Sequence, residues 1–98
     1  MSKNEQYAGE LVGLLSQIGA DKKLLSDFLA DLLTPAEYLD LPKRWQIIKK
    51  LSQGIPQRQI AKSLGVGIAT VTRGSRELMD KKGGFCRALK SAKLSNKI

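Results

Sequence analysis

The stretch Gln57-Arg58-Gln59-Ile60-Ala61-Lys62-Ser63-Leu64-Gly65-Val66-Gly67-Ile68-Ala69-Thr70-Val71-Thr72-Arg73-Gly74 constrains this chain more than any other, because it reads as two short helices joined by a glycine turn. Ile60 and Leu64 stand four residues apart and face one core. Ala61 is small, as a second helix crossing the first closely requires. Gly65 ends the first helix, since the position after a helix end usually needs the left-handed conformation that only glycine adopts cheaply. Val66 plugs the turn into the core, Val71 anchors the second helix, and Leu78 follows one heptad later. Ala61, Gly65 and Val71 have the spacing of a DNA-binding helix-turn-helix, whose second helix enters the major groove. The bland alternative is a helical hairpin with a Thr-rich face.

The residues left pointing outward favour the DNA reading. Ile68, Ala69, Thr70 and Thr72 open the second helix and are small or β-branched, which is poor chemistry for a helix facing only solvent. Threonine hydroxyls bond base edges or phosphates, and Ala and Ile touch thymine methyls. Gly67 leaves backbone N–H groups open to a phosphate, and Arg58 is placed to meet another. Charge agrees. Residues 1–42 hold three Lys against seven Asp or Glu, whereas residues 43–98 hold fourteen Lys or Arg against only Glu77 and Asp80. A basic half of this kind implies a polyanionic partner. An anionic membrane is the competing polyanion, but no basic amphipathic helix with a broad aromatic-rich apolar face is present.

Ninety-eight residues make one domain, 1–98, with a core small enough that oligomerisation would help it. The sequence has neither a bilayer-spanning apolar run nor a signal peptide. Its single cysteine, Cys86, reads as a small apolar helix residue and suits a reducing cytoplasm. With no histidine and no second cysteine, a zinc site or a Ser-His triad is excluded as a working hypothesis, and no nucleophile-base set suggests an enzyme.

Taken in order, residues 4–18 predict a first helix, with Tyr7, Leu11, Leu14 and Ile18 in a heptad-like seam and Gly9 and Gly13 weakening it. Asp21 caps a second helix over 22–33, whose Leu24, Leu25, Phe28, Leu29, Leu32 and Leu33 make a very wide apolar face. One small domain covers both helices poorly, so residues 1–33 are expected to dimerise; a tight monomeric bundle is the alternative. Thr34-Pro35-Ala36-Glu37 is a helix start with a capping box, and a central core helix is expected within 34–54, pausing at Leu41-Pro42 and ending at Gly54. Trp45, Ile48 and Leu51 are expected to make the main core there. The helix-turn-helix occupies 56–80, with Pro56 offering no side-chain cap. A last helix over 85–95 presents Phe85, Ala88, Leu89 and Ala92 on one face, with 94–98 frayed.

Two blocks, Leu33-Thr34-Pro35-Ala36-Glu37 and Gly67-Ile68-Ala69-Thr70-Val71-Thr72-Arg73-Gly74-Ser75, make the chain resemble the Trp repressor family. Arg44, Ile47, Ile48, Gly54, Gln57 and Arg58 keep the family's order between them, and the resemblance covers about residues 28–80. It implies an all-α chain of about six helices with a helix-turn-helix, in an intertwined homodimer that binds a palindromic double-stranded operator when L-tryptophan is bound as corepressor. It also implies that Arg44 and Arg73 sandwich the indole, with Arg44 in addition close to DNA. Thr34 would lie near the ligand carboxylate, the carbonyls of Asp31 and Leu33 would face its ammonium, and Gly74 would leave room for the ring. Gly74→Ala would then fill that room while raising helix propensity, with no loss of stability. The chain departs from the family in three ways. The link before Gln57 is one residue shorter than in the best-known members, Pro56 stands where a capping Ser or Thr is usual, and Arg76-Glu77 replaces a small polar pair. Glu77 thereby falls where a family serine approaches the ligand ammonium, and either bonds that ammonium or pairs with Arg73 one turn earlier.

Two functions follow. The first is a repressor gated by L-tryptophan. The second is a ligand-independent helix-turn-helix nucleic-acid-binding or adaptor protein, in which Arg44 and Arg73 simply meet phosphates. Gly74 itself, inside a helix, requires something to come close, either a ligand ring or a packed helix.

Overall fold

A computed structural model describes residues 1–96, with side chains through residue 92. Six helices follow one another: α1 (Lys3–Ile18), α2 (Lys22–Leu32), α3 (Pro35–Ser52), α4 (Gln57–Leu64), α5 (Ile68–Leu78) and α6 (Gly84–Asn96), and no strand occurs among the described residues. The expected fraying at 94–98 is not seen in the backbone to Asn96, and Lys97 and Ile98 lie outside the described residues.

The helix starts follow from local chemistry. The Ser2 hydroxyl accepts from the Glu5 N–H, and the Asp21 carboxylate accepts from the Leu24 N–H, each satisfying one orphan donor of a first turn. Thr34 and Glu37 close a reciprocal box. The Glu37 N–H donates to Thr34 Oγ1 at 3.2 Å, and the Thr34 N–H donates to Glu37 Oε1 at 2.9 Å. The Thr34 N–H first, and its hydroxyl second, hold the Glu37 carboxyl below its ordinary range. Gly54 and Gly65 take the left-handed conformation, with φ of 80° and 66°, and turn the chain out of α3 and α4.

Two corrections concern α3. The helix does not pause at Leu41-Pro42, because Pro42 lies inside one continuous helix from Pro35 to Ser52. A proline there removes the N–H that would meet the Tyr38 carbonyl and crowds that carbonyl with its ring, yet the helix runs on through it. Nor does Trp45 anchor the core. It is half-buried, while Ile47 and Ile48 are 1% exposed. Of the expected row, Ile48 is buried and Leu51 packs on the core as expected, and Ile47 takes the central place expected of Trp45.

The chain divides into two compact units, Met1–Leu39 and the remainder from Asp40. In the first, α1 packs on α2, yet neither helix buries a single residue. In the second, Ile47, Ile60 and Val71 form the core, with Leu51, Ile55, Ala61, Leu64 and Val66 packed around them. Each helix of the α3–α4–α5 set thus contributes one fully buried β-branched residue to a common centre. Helix α6 adds to α5 through Cys86, whose thiol donates to the Leu78 carbonyl at 3.4 Å. The part-buried face of α6 is Cys86, Leu89 and Ala92, whereas Phe85 and Ala88, expected on it, are exposed.

Candidate nucleic-acid interface and ligand cleft

The turn between α4 and α5 is built as a helix-turn-helix requires. The Gly65 N–H donates to the Lys62 carbonyl and the Val66 N–H to the Ala61 carbonyl, so the chain reverses within three residues. Val66 and Val71 are thereby drawn into the core with Ile60, which fixes the start of α5 against α4. Ile68, Ala69 and Thr70 are exposed at that start. Gly67 caps α5 without a side chain, and Pro56 does the same for α4. The first N–H groups of α5 therefore point outward with no side-chain partner. Arg58 is exposed one residue into α4.

Thr72 differs from its neighbours. It is half-buried, and its hydroxyl lies 2.9 Å from Gln57 Oε1 and 3.0 Å from the Ile68 carbonyl, so its one proton is shared within the fold. The Gln57 bond spans from the first residue of α4 to the middle of α5 and ties the two helices together. Nothing in the local pattern signals this, since the partner stands fifteen residues away.

A cleft of about 520 Å³ opens beside the start of α5. Arg44, Ile47 and Ile48 of α3 line one wall, Ala69, Thr70, Arg73, Gly74 and Glu77 of α5 a second, and Phe85 of α6 closes it. Four of the residues expected at a ligand site, Arg44, Arg73, Gly74 and Glu77, are therefore brought together. Thr34, Asp31 and Leu33 belong to the first unit and do not line this cleft. Phe85 is an addition, invisible in the sequence because the glycine-rich link before α6 gives no hint of where that helix begins its packing. Arg44, Arg73 and Glu77 are all exposed, and the side chain of none of the three forms an ion pair or hydrogen bond among the described residues. The expected alternative of an Arg73–Glu77 pair is thus not formed.

Gly74 has two roles here. It lines the cleft, and a Cβ built on it would stand 3.0 Å from Ile47 Cγ2, 3.3 Å from Ile48 Cδ1 and 3.5 Å from Leu51 Cδ1. The close approach that its presence implies is that of helix α3. An alanine there fits only if Ile47 gives by a few tenths of an ångström.

The sequence model of the family described as Trp repressor protein matches residues 8–93. The chain belongs to the Trp repressor family. That match extends well beyond the 28–80 segment in which the resemblance is legible by eye, and takes in most of α1 and α6. The Trp operon repressor homolog of Vibrio vulnificus (strain YJ016) is 41% identical over 81 residues, which are 80% of this chain and 78% of its own. The homolog from Aliivibrio salmonicida (strain LFI1238) is 41% identical over 81 residues, 80% of this chain and 74% of its own. The homolog from Vibrio cholerae serotype O1 (strain ATCC 39315 / El Tor Inaba N16961) reaches 55% over 51 residues, about half of each chain. Members of the Trp repressor family are DNA-binding transcription regulators and not enzymes, and this chain is a regulator of that type. No helix among the described residues is long and apolar enough to cross a membrane.

Proposed function

We propose that this chain is a cytoplasmic transcriptional repressor that binds a palindromic operator as a homodimer, with L-tryptophan as corepressor. The observation that carries the reading is the shared wall of the cleft. Ala69 and Thr70, at the exposed start of α5, line the same space as Arg44, Arg73, Gly74 and Glu77. Anything seated there touches the helix that reads DNA. The cleft suits a zwitterion with a flat apolar side chain. Two unpaired guanidiniums stack on an aromatic ring and bind a carboxylate. Glu77 offers the one negative group to an ammonium, and Ile47, Ile48 and Phe85 supply apolar surface. Thr34 and the carbonyls of Asp31 and Leu33 complete the ligand site by family resemblance alone.

On the DNA side, Ile68, Ala69 and Thr70 meet base edges, while Arg58 and the open N–H groups after Gly67 meet phosphates. Arg44 serves both sides. Thr72 acts from behind, through Gln57, as much as by touching DNA. A ligand wedged between Arg44 of α3 and Arg73 of α5 holds α5 at one angle, and so shifts the population of reading heads toward one geometry. The exposed apolar residues of the first unit, among them Tyr7 at 61%, Val12 at 64% and Leu24 at 47%, support pairing with a second copy.

The test is operator affinity with and without L-tryptophan. Wild-type protein should bind the operator tighter with tryptophan, and operator DNA should tighten tryptophan binding by the same factor. Arg73→Ala should lose the response and keep weak, salt-sensitive binding to any duplex. A wild-type affinity that ignores millimolar tryptophan leaves the ligand-independent DNA-binding protein as the reading, which the unpaired state of Arg44 and Arg73 equally allows.

A further inference from the structure

We infer that Glu77 is an electrostatic latch on the reading helix: left bare, its carboxylate opposes DNA phosphates, and the ammonium of a bound zwitterion removes that opposition. This rests on the zwitterion-gated reading of the cleft and adds to it a reason why the empty protein binds DNA poorly.

Four observations converge on Glu77. First, residues 43–98 carry fourteen Lys or Arg and only two acids, Glu77 and Asp80. Second, Asp80 is engaged in its own turn, where its carboxylate accepts from the Lys82 N–H at 3.0 Å, whereas the Glu77 carboxylate has no hydrogen bond or ion pair among the described residues. Third, Glu77 occupies the last turn of α5, where the helix dipole disfavours negative charge. Arg73, one turn before it, is in reach but in the weaker order, with the cation N-terminal to the acid. The carboxylate therefore lowers local stability, and no side chain among the described residues pairs with it. Fourth, it lines the same cleft as Ala69 and Thr70. Seven residues separate it from Thr70, about 10 Å along the axis at the usual helical rise. That is about one Debye length at 0.1 M salt and well inside one at low salt, so the charge is felt at the reading surface at low salt and screened as salt is added.

The consequence is a sign rule. An occupant that brings a positive group to Glu77 favours DNA by neutralisation, in addition to any orientation of α5. Removing the charge by mutation should do part of the ligand's work.

The experiment compares wild type, Glu77→Gln, Glu77→Lys and, as a control for net charge, Glu10→Gln in the first unit. Each is titrated by fluorescence anisotropy against a duplex selected from random sequences by wild type in the presence of L-tryptophan. Binding is measured at low and physiological salt, with and without L-tryptophan, after circular dichroism has shown the same helix content. Without tryptophan, Glu77→Gln should bind about three- to tenfold tighter than wild type at low salt, Glu77→Lys tighter still, and Glu10→Gln nearly unchanged. With tryptophan, Glu77→Gln and wild type should converge, so the coupling between ligand and DNA shrinks by the factor gained. Two results overturn the latch: Glu77→Gln and Glu10→Gln shifting affinity alike, or a wild type that responds to tryptophan beside a Glu77→Gln that responds by the same factor. A wild type that ignores tryptophan overturns the gating reading itself, and the latch falls with it.

Discussion

Adding one methyl group at Gly74 would bring it to 3.0 Å from Ile47 Cγ2, and Ile47 is a fully buried core residue with little freedom to retreat. Alanine gains about 1 kcal/mol of helix propensity over glycine. Overpacking a close-packed core costs about 1–3 kcal/mol. The balance is a net loss, so Gly74→Ala should lower the thermal midpoint followed by circular dichroism, and a raised midpoint would show that α5 moves off α3 freely. A second residue-scale prediction concerns acid. The Glu37 carboxyl is held below its ordinary range by Thr34. Its bonds to Thr34 therefore contribute stability above the ordinary glutamate pKa, and that contribution disappears as pH falls through the lowered value. Glu37→Gln should flatten this acid-side loss in a urea-melt series from neutral pH downward, and a slope equal to wild type would refute the assignment. The capping box was legible in the sequence because all of its partners lie within four residues. Gly74 was legible only as a close approach, since no sequence pattern says which neighbour does the approaching.

Between elements, reading the chain succeeds where a rule is local and fails where a bond is long. The α4–turn–α5 unit follows from Gly65 and the offsets of Ile60 and Val71, each of which acts within a turn or two of helix. The Thr72–Gln57 bond joins residues whose proximity exists only after folding, and the same is true of Phe85 on the cleft. Trp45 is the largest side chain of α3, but size does not fix which face of a helix turns inward, and the α3 face toward α4 and α5 carries isoleucine. Within this unit, Arg58 and Thr70 should separate in their effects. Arg58→Ala should weaken every duplex alike and lower the salt slope by about one unit. Thr70→Ala should instead erode discrimination between operator variants, by about 1–3 kcal/mol for a lost base contact. Competition binding with a panel of single-base operator variants checks both, and unchanged discrimination in Thr70→Ala would remove α5 as the reading element.

On the scale of the whole molecule, the two units differ in what holds them. The second has a centre of fully buried side chains. The first has none, and it exposes Leu39 at 65% and Leu32 at 48% besides the residues of α1. Pairing of first units should therefore appear in light scattering at micromolar concentration as about twice 10.8 kDa. The thermal midpoint should also rise with protein concentration, as mass action demands of a dimer. A monomer with a concentration-independent midpoint would leave the apolar surface of α1 and α2 unexplained.

That division of labour has a genetic consequence. If first units pair as proposed, a copy damaged only in α5 would keep an intact first unit and still compete for partners. Mixed pairs would then carry one working reading head where the proposed two-headed site needs two. Co-expressed with the wild type, such a variant would act dominantly, titrating good subunits into weak binders, while a copy broken in α1 or α2 would be recessive because it never enters a pair.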